Sequence, residues 1–528
     1  MKLTDILSGQ FNAAEWEQKG YQLPKFDIKA VREKTAKEPT WVHFGGGNIF
    51  RAFPAAILND ALNTGKYDRG VIVAETFDYE VVDKAYVPYD NLSLAVSLCS
   101  DGNIEKKVIA SVTEALKADP QFPDWQRLVD VFRCPTLQMI SFTITEKGYG
   151  YNEADLARGM KPIFAMGKVC ALLYERFLVG ALPITVQSMD NCSHNGDRVK
   201  SGVMAYAERW AKDGLVEAAF LDYMKDETKV TFPWSMIDKI TPRPHQKVKD
   251  LLDADGFQDN NYIETEKHTF TAPFVNAEEV QYLVIEDHYT NGRPPLDLGG
   301  ALFTTRETVD KVETMKVTTC LNPLHTAMSI YGCMLGYTLI SAEMADEDLR
   351  AFVQKIGYIE AMPVVVDPGV LNPYEFIGAV INRRLPNPFM PDAPQRIAMD
   401  TSQKLPIRFG ETIKKYLARG LDKSNLILIP LTLAGYARYL KGIKDDGTPF
   451  EPSPDPMLSE LQAIVAPLEV GKQDQDYSCL RQLYTRKDVF GLDLYEAGIG
   501  EQIEGMVREL YAGNGAVRQT LHKYVSAR

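Results

Sequence analysis

The stretch TWVHFGGGNIFRAF, residues 40–53, restricts the fold more than any other part of the chain. A β-rich run at 40–44 stops at three glycines, and helical spacing takes over at 52–62. A strand that hands straight to a helix suits a parallel sheet, where each strand needs a crossover before the next. GVIVAE (70–75), LQMISFTI (137–144) and LPITVQSM (182–189) are further strand candidates, separated by helical patterns at 153–179 and 199–226. Strands alternating with helices predict an α/β domain with a mostly parallel sheet. The character changes after IEDHYTNGRPPLDLGG (285–300), a loop rich in Gly and Pro. LHTAMSIYGCMLGYTLISAEM, EDLRAFVQKIGYIEAM, PYEFIGAVINRRL and IGEQIEGMVRELYAGN all have apolar residues at helical spacing, so a mainly α-helical domain is expected over 297–528.

A chain of 528 residues is long enough for two domains with a sizeable core. Its formal net charge of −13 argues against a nucleic-acid partner, which wants a basic face, while small anions need only a few local cations. The seven cysteines are scattered and form no CxxC pair, so neither a disulfide framework nor a zinc ribbon is indicated. The N-terminus lacks the apolar core of a signal peptide, and no run of about 18 apolar residues occurs. The expectation is a cytoplasmic protein without a membrane partner, a monomer or small homo-oligomer, in which the sequon Asn191-Cys192-Ser193 is accidental.

Five motifs carry chemistry. In HFGGGNIFRAF, a glycine turn between strand and helix lets the backbone of Phe44, Gly45, Gly46, Gly47, Asn48, Ile49, Phe50 and Arg51 approach a pyrophosphate, although Phe50 stands where GxGxxG has its third glycine. A purely structural turn is the other reading. Glu75, ending the next strand, suits the ribose hydroxyls of adenosine and would repel a 2′-phosphate, which favours NAD over NADP. These features give residues 1–296 the character of a dinucleotide-binding domain of Rossmann type, with a short extension at 1–38. TITEKGYGYN (143–152) places Thr145, Glu146 and Lys147 at a strand's carboxyl end, as a cofactor contact or an ordinary loop. In QSMDNCSHNG (187–196), Asn191 offers an amide for a carbonyl oxygen that becomes an alkoxide, while Asp190 and Asn195 suit an Asx-turn.

The fourth motif is VETMKVTTCLNPLH (312–325). A lysine whose pKa burial lowers can act as a general base, and Glu313 lies on the same helical face as Lys316. Asn322 and His325 can bond to substrate oxygens, or Asn322 can be an N-cap with Pro323 at the first helical position. The fifth, NRRLPNPFMPDAPQRIAMDTSQKLP (382–406), gathers Arg383, Arg384, Arg396 and Lys404, either as forks for a carboxylate or as a solvated basic face.

Together and in order, HFGGGNIFR, TITEKGY, SMDNCSHNG, WSMIDKITP, VIEDHYTNGRP, KVTTCLNPLH and RIAMDTSQKLP resemble the polyol-specific long-chain dehydrogenase (mannitol dehydrogenase) family, which includes hexuronate reductases acting on fructuronate and tagaturonate. The resemblance implies a zinc-independent NAD(P)-dependent oxidoreductase that holds no metal, and Glu75 favours NAD. It assigns Lys316 as general acid/base, Asn191 and Asn322 as the oxyanion hole, and His325 as a substrate-orienting group. It also assigns Glu313 to proton exchange and Asp238, Arg396 and Lys404 to the substrate. Two departures matter. Lys316 and Asn322 are one residue further apart than the family's K-x-x-x-x-N-x-x-H, and a helix break at Asn322-Pro323 is expected to absorb the difference. ITPRPHQK places Arg243 and His245 where polyol-oxidising relatives have small neutral residues, which suits a carboxylated substrate. The reading is a hexuronate reductase taking fructuronate to mannonate with NADH. Tagaturonate reduction or mannitol oxidation is the alternative, and a non-catalytic NAD-binding regulator is the alternative of another class.

Overall fold

Strand β1 (Trp41–Phe44) is buried along its whole length in a computed structural model that describes residues 1–472 and 474–527. Full burial needs apolar residues on both faces of the strand. Val42 and Phe44 enter one cluster with Ile140, Phe142 and Val186, and Trp41 enters the other with Val71, Val73 and Met139. His43, wholly buried between them, bonds Ser141 Oγ at 2.6 Å and Thr143 Oγ1 at 2.8 Å and stacks on Phe50 at 4.0 Å. Burial holds its pKa well below the usual imidazole range, so the ring is neutral.

With β2 (Val71–Glu75), β3 (Val112–Lys117), β4 (Met139–Phe142), β5 (Ile184–Ser188) and β6 (Val230–Thr231), β1 forms a six-stranded sheet, parallel throughout, in the order β3-β2-β1-β4-β5-β6. This order reverses direction between β1 and β4, the switch point at which such sheets bind ligands beyond their carboxyl ends. Helices α1 (Asn48–Ala52) and α2 (Pro54–Asn63) follow β1, while α3 (Ala165–Leu178) and α4 (Asn195–Lys212) flank β5. The sequence shows β1, β2, β4 and β5. It hides β3, whose Glu114 and Lys117 interrupt the apolar pattern, and β6, which is two residues long. The helical pattern at 153–179 divides into Glu153–Leu156 and α3, and that at 199–226 into α4 and Ala218–Lys225. A mixed sheet joins Tyr21–Gln22, Ile104–Ile109, Ser93–Leu98 and Phe274–Glu278, and β7 (Ser235–Asp238), β8 (Tyr282–Glu286) and β9 (Leu302–Thr304) form a third.

The chain falls into two compact units, 1–99 with 103–310 and 100–102 with 311–528, and the boundary lies inside α5 (Arg306–Met315). The second unit is helical. Its centre holds α6 (Asn322–Leu335) and α7 (Leu428–Tyr439), buried on nearly every face, as helices apolar all round require. They approach closely at Gly435, where a Cβ would come within 2.6 Å of the Tyr331 ring, and Tyr331 Oη donates to Leu431 O at 2.8 Å. The buried Glu360 carboxylate accepts from Ile427, Leu428 and Ile429 N–H at 2.7–3.0 Å, placing negative charge at the start of α7. α7 packs along α8 (Gly500–Leu510). Among the described residues, π turns interrupt the helices of this unit at Lys316–Cys320, Ile356–Ala361, Val380–Arg384 and Pro406–Gly410. Glu343 is fully buried, neither carboxylate oxygen has a partner among the described residues, and burial pushes its carboxyl well above the usual range. No helix of the described residues is long and apolar enough to cross a membrane.

Candidate functional site

In the first unit the glycines after β1 differ in what they need. Gly45 has φ +100°, and a Cβ there would lie 2.4 Å from Thr143 O on β4, so the packing itself demands glycine. Gly47 has φ −74°, which any residue adopts, and a Cβ on it would meet nothing within 4 Å. A glycine that neither its own backbone nor its neighbours require leaves open space for a ligand to approach the backbone, as a dinucleotide pyrophosphate does. The residues therefore fit the cofactor that the motif implies. The side chains of Phe44, Phe50 and Arg51 are buried, so these three have only their backbones to offer. The Arg51 guanidinium donates to Ala272 O at 2.8 Å, Asn48 Oδ1 at 2.9 Å and Thr271 Oγ1, tying α1 to the strand region beside it. Ile49 is half-buried on the same short helix.

Glu75 is engaged more fully than a ribose-binding acid needs to be. Oε2 accepts from Gly46 N–H at 2.8 Å, and Oε1 accepts from Thr76, Phe77 and Asp78 N–H at 3.0, 2.9 and 3.2 Å. What remains for a ribose hydroxyl is a second lone pair on Oε2.

Asp190 replaces its expected Asx-turn with a longer reach. Its carboxylate accepts from Ile144 N–H at 2.8 Å, Thr145 N–H at 3.2 Å and Tyr149 O–H at 2.6 Å. Burial raises its pKa, and these bonds pull the other way. They hold Thr145 at φ 65°, ψ 162°, a backbone region that β-branched residues scarcely enter. Asn195 donates to Asp190 O at 3.0 Å within its own loop and also bonds the backbone and hydroxyl of Ser235. Glu146 pairs with Arg198 at 2.7 Å. Asn191, next to Asp190, is exposed beyond the end of β5, and Asp238 ends β7, buried opposite Tyr282. His245 caps the helix Gln246–Asp255, its Nδ1 accepting Lys247 N–H at 3.1 Å.

In the second unit Lys316 is 4% exposed and opens a π turn, with Glu313 half-buried three residues earlier on α5. Leu321 N–H donates to Lys316 O at 3.1 Å, an i→i−5 bond that encloses one more residue than an α turn. The additional residue between Lys316 and Asn322 is taken up there, and the break falls at Leu321 (φ −130°, ψ −63°), one residue before the expected place. Asn322 is thus the first residue of α6 and not its N-cap, with Pro323 following where a missing N–H costs the helix nothing.

His325, half-buried on the first turn of α6, is held down at about pKa 4. Desolvation is the main cause, Asp392 opposes it, and the cations Arg408, Arg384 and Arg396 add to it. The ring is neutral and can donate or accept a bond without acting as the acid. Arg396 pairs with Asp392. Lys404 donates to Ile397 O at 3.0 Å and to Met399 O, and burial lowers its pKa to about 8, with Arg408 and Arg396 contributing. Arg384 is buried and Arg383 exposed in their π turn.

Arg408 escapes the sequence motif, which ends at Pro406. Its Nη1 donates to Thr326 Oγ1 and to Asn322 O at 3.4 Å, on the same turn as His325. The signal was present, since Arg408 follows Lys404 by four residues and such pairs share a helical face.

A parallel dinucleotide-type sheet with Asn191 beyond its end, and a helical unit carrying a buried lysine, Asn322 and a cation cluster, suit an oxidoreductase of CH–OH groups. Residues 39–298 match the Mannitol dehydrogenase Rossmann domain and residues 308–511 the Mannitol dehydrogenase C-terminal domain. The chain is 51% identical over 526 residues to a D-mannonate oxidoreductase of Thermotoga maritima, covering 97% of each chain. It is 29% identical to a mannitol 2-dehydrogenase of Cereibacter sphaeroides, covering 83% of this chain and 87% of the other. The fold is that of Pseudomonas fluorescens mannitol 2-dehydrogenase, solved with NAD and D-mannitol, at 24% identity, a TM-score of 0.68 and coverage of 98% and 100%. The chain belongs to the mannitol dehydrogenase family.

Proposed function

We propose that the chain reduces fructuronate to mannonate with NADH in the cytoplasm, and runs the reverse oxidation with NAD. The observation that carries this reading is the 51% identity, across 97% of both chains, to a protein named for D-mannonate. The first unit holds the cofactor through the backbone of the Gly45–Gly47 turn and the residues of α1, with Glu75 at the ribose. Bound NADH supplies the hydride for the C5 ketone. Lys316 gives its Nζ proton to the new alkoxide oxygen in reduction and takes it from the hydroxyl in oxidation. The family resemblance assigns the amides of Asn191 and Asn322 to that oxygen, as donors that lower the barrier while its charge develops. Neutral His325 fixes a substrate hydroxyl. Glu313 passes protons between Lys316 and solvent, and Asp238, Arg396 and Lys404 hold the remaining oxygens.

Following NADH absorbance with fructuronate, tagaturonate and fructose in parallel tests the reading. Fructuronate is expected to turn over fastest. Absence of turnover with all three, despite NADH binding, would overturn it.

A further inference from the structure

Among the described residues, Arg408 is a cation of the second unit without a carboxylate partner. Arg396 has Asp392. The Lys404 ammonium is surrounded by the carbonyls of Ile397 and Met399. Arg408 forms no ion pair among the described residues, and its hydrogen bonds to them run from Nη1 to Thr326 Oγ1 and Asn322 O, both uncharged. Burial pushes its pKa down to about 10. A guanidinium withdrawn from water without a counter-ion is costly in any protein, and this one has acidic residues in excess, 71 against 58 basic. The bonds at Nη1 fix the plane of the group and leave Nε and Nη2, the fork that matches a carboxylate through two parallel hydrogen bonds. Through Nη1 the guanidinium is held at the turn bearing Asn322 and His325, which are assigned to the substrate's reacting end and its hydroxyls.

We propose that Arg408 takes the carboxylate of a sugar-acid substrate and is the residue that separates sugar acids from neutral polyols. This rests on the reductase reading for the identity of the substrate, but the preference for an anionic sugar over a neutral one can be measured separately. Arg396 and Lys404, already engaged within the chain, serve hydroxyl oxygens. Thr326 is a positioning residue that holds the fork.

The test compares wild type, Arg408→Met and Arg408→Lys in two measurements on the full chain. The first is calorimetric binding of mannonate and of mannitol to the NADH complex, where no hydride transfer can follow. The second is NADH-dependent turnover of fructuronate and fructose. Wild type is expected to bind mannonate well ahead of mannitol. Arg408→Met should weaken mannonate binding by about 100-fold, the usual scale for removing one partner of a buried charge pair, and raise KM for fructuronate in proportion. Mannitol binding and fructose turnover should move less than about threefold. Arg408→Lys should recover part of the loss, since a point charge replaces the fork. Equal losses for acid and neutral ligands in both variants would mean that Arg408 only braces α6, and the proposal would fall. An unchanged mannonate preference would also sink it. If wild type turns over no fructuronate yet Arg408→Met erases the mannonate preference, the reductase reading fails and the carboxylate site stands. Should the methionine variant not fold, the lysine variant's mannonate-to-mannitol ratio decides alone.

Discussion

In the first unit the candidate contacts lie where parallel strands end: Gly45–Gly47 after β1, Glu75 closing β2, Thr145 after β4, Asn191 after β5. In the second, Lys316, Arg384 and Arg408 each lie in a π turn within a helix. The electrostatics differ too. Glu75 and Asp190 are surrounded by backbone N–H and hydroxyl donors, whereas Arg408 has no ion pair among the described residues and Lys404 is held by carbonyls. A strand edge offers preformed backbone donors suited to a cofactor that is the same in every turnover. An interrupted helix offers side chains held out of their relaxed electrostatic state, which a particular substrate can restore.

The largest effect expected from this contrast is at Lys316. Lys316→Ala should lower kcat by about 1,000-fold, within the range for losing a general acid/base, while the NADH dissociation constant measured by fluorescence stays put. Loss of NADH binding in that variant would show that the two roles are not divided as proposed. Next come the paired glycines. Gly45→Ala, placing a Cβ 2.4 Å from Thr143 O at φ +100°, should destabilise the chain by about 2 kcal/mol or more in thermal melting. Gly47→Ala should melt like wild type and still weaken NADH by roughly tenfold, because only an approaching ligand can meet its new methyl.

A smaller effect concerns pH. Lys404 is protonated below about pH 8 and neutral above it, so KM for fructuronate should climb severalfold between pH 7 and pH 9. In Lys404→Met that limb should vanish, and its persistence would assign the pH dependence elsewhere.

The smallest tests whether uncompensated groups extend beyond the site of the second unit. Glu343 has a folded pKa above its unfolded value, so the folded state holds its proton more tightly and stability falls as pH rises from about 4.5 through the folded pKa. Glu343→Gln removes that loss. Its melting temperature should exceed wild type by about 3 °C at pH 8, with a smaller gain at pH 5, and an equal gain at both would point to packing instead.

The same contrast explains what could be read from residues alone. β1, β2, β4 and β5 were legible because buried parallel strands are continuous apolar runs, and the glycines after β1 mark a turn in any alphabet of side chains. β3 was not, because Glu114 and Lys117 lie within it and Glu114 finds its partner, Arg127, only in the fold. Asp190 pointed to a local turn because its true partners, Ile144 and Thr145, lie 46 and 45 residues away. Lys316, Asn322 and His325 stood out by type and spacing. The π turns did not, since one residue more in a helix changes neither its composition nor its apolar period by enough to see. Arg408 lay two residues past the motif and was silent until Thr326 and Asn322 came to it.

The π turn at Lys316–Cys320 makes the chain's length negotiable at one place. Removing a single residue from Val317–Leu321 converts it to an ordinary helical turn and leaves the register of α6 untouched. A deletion one turn later, inside the buried face of α6, would rotate every side chain behind it. A change of length by one residue therefore has a harbour beside Lys316, where a shortened turn re-aims that side chain against Asn322 without disturbing the core behind them.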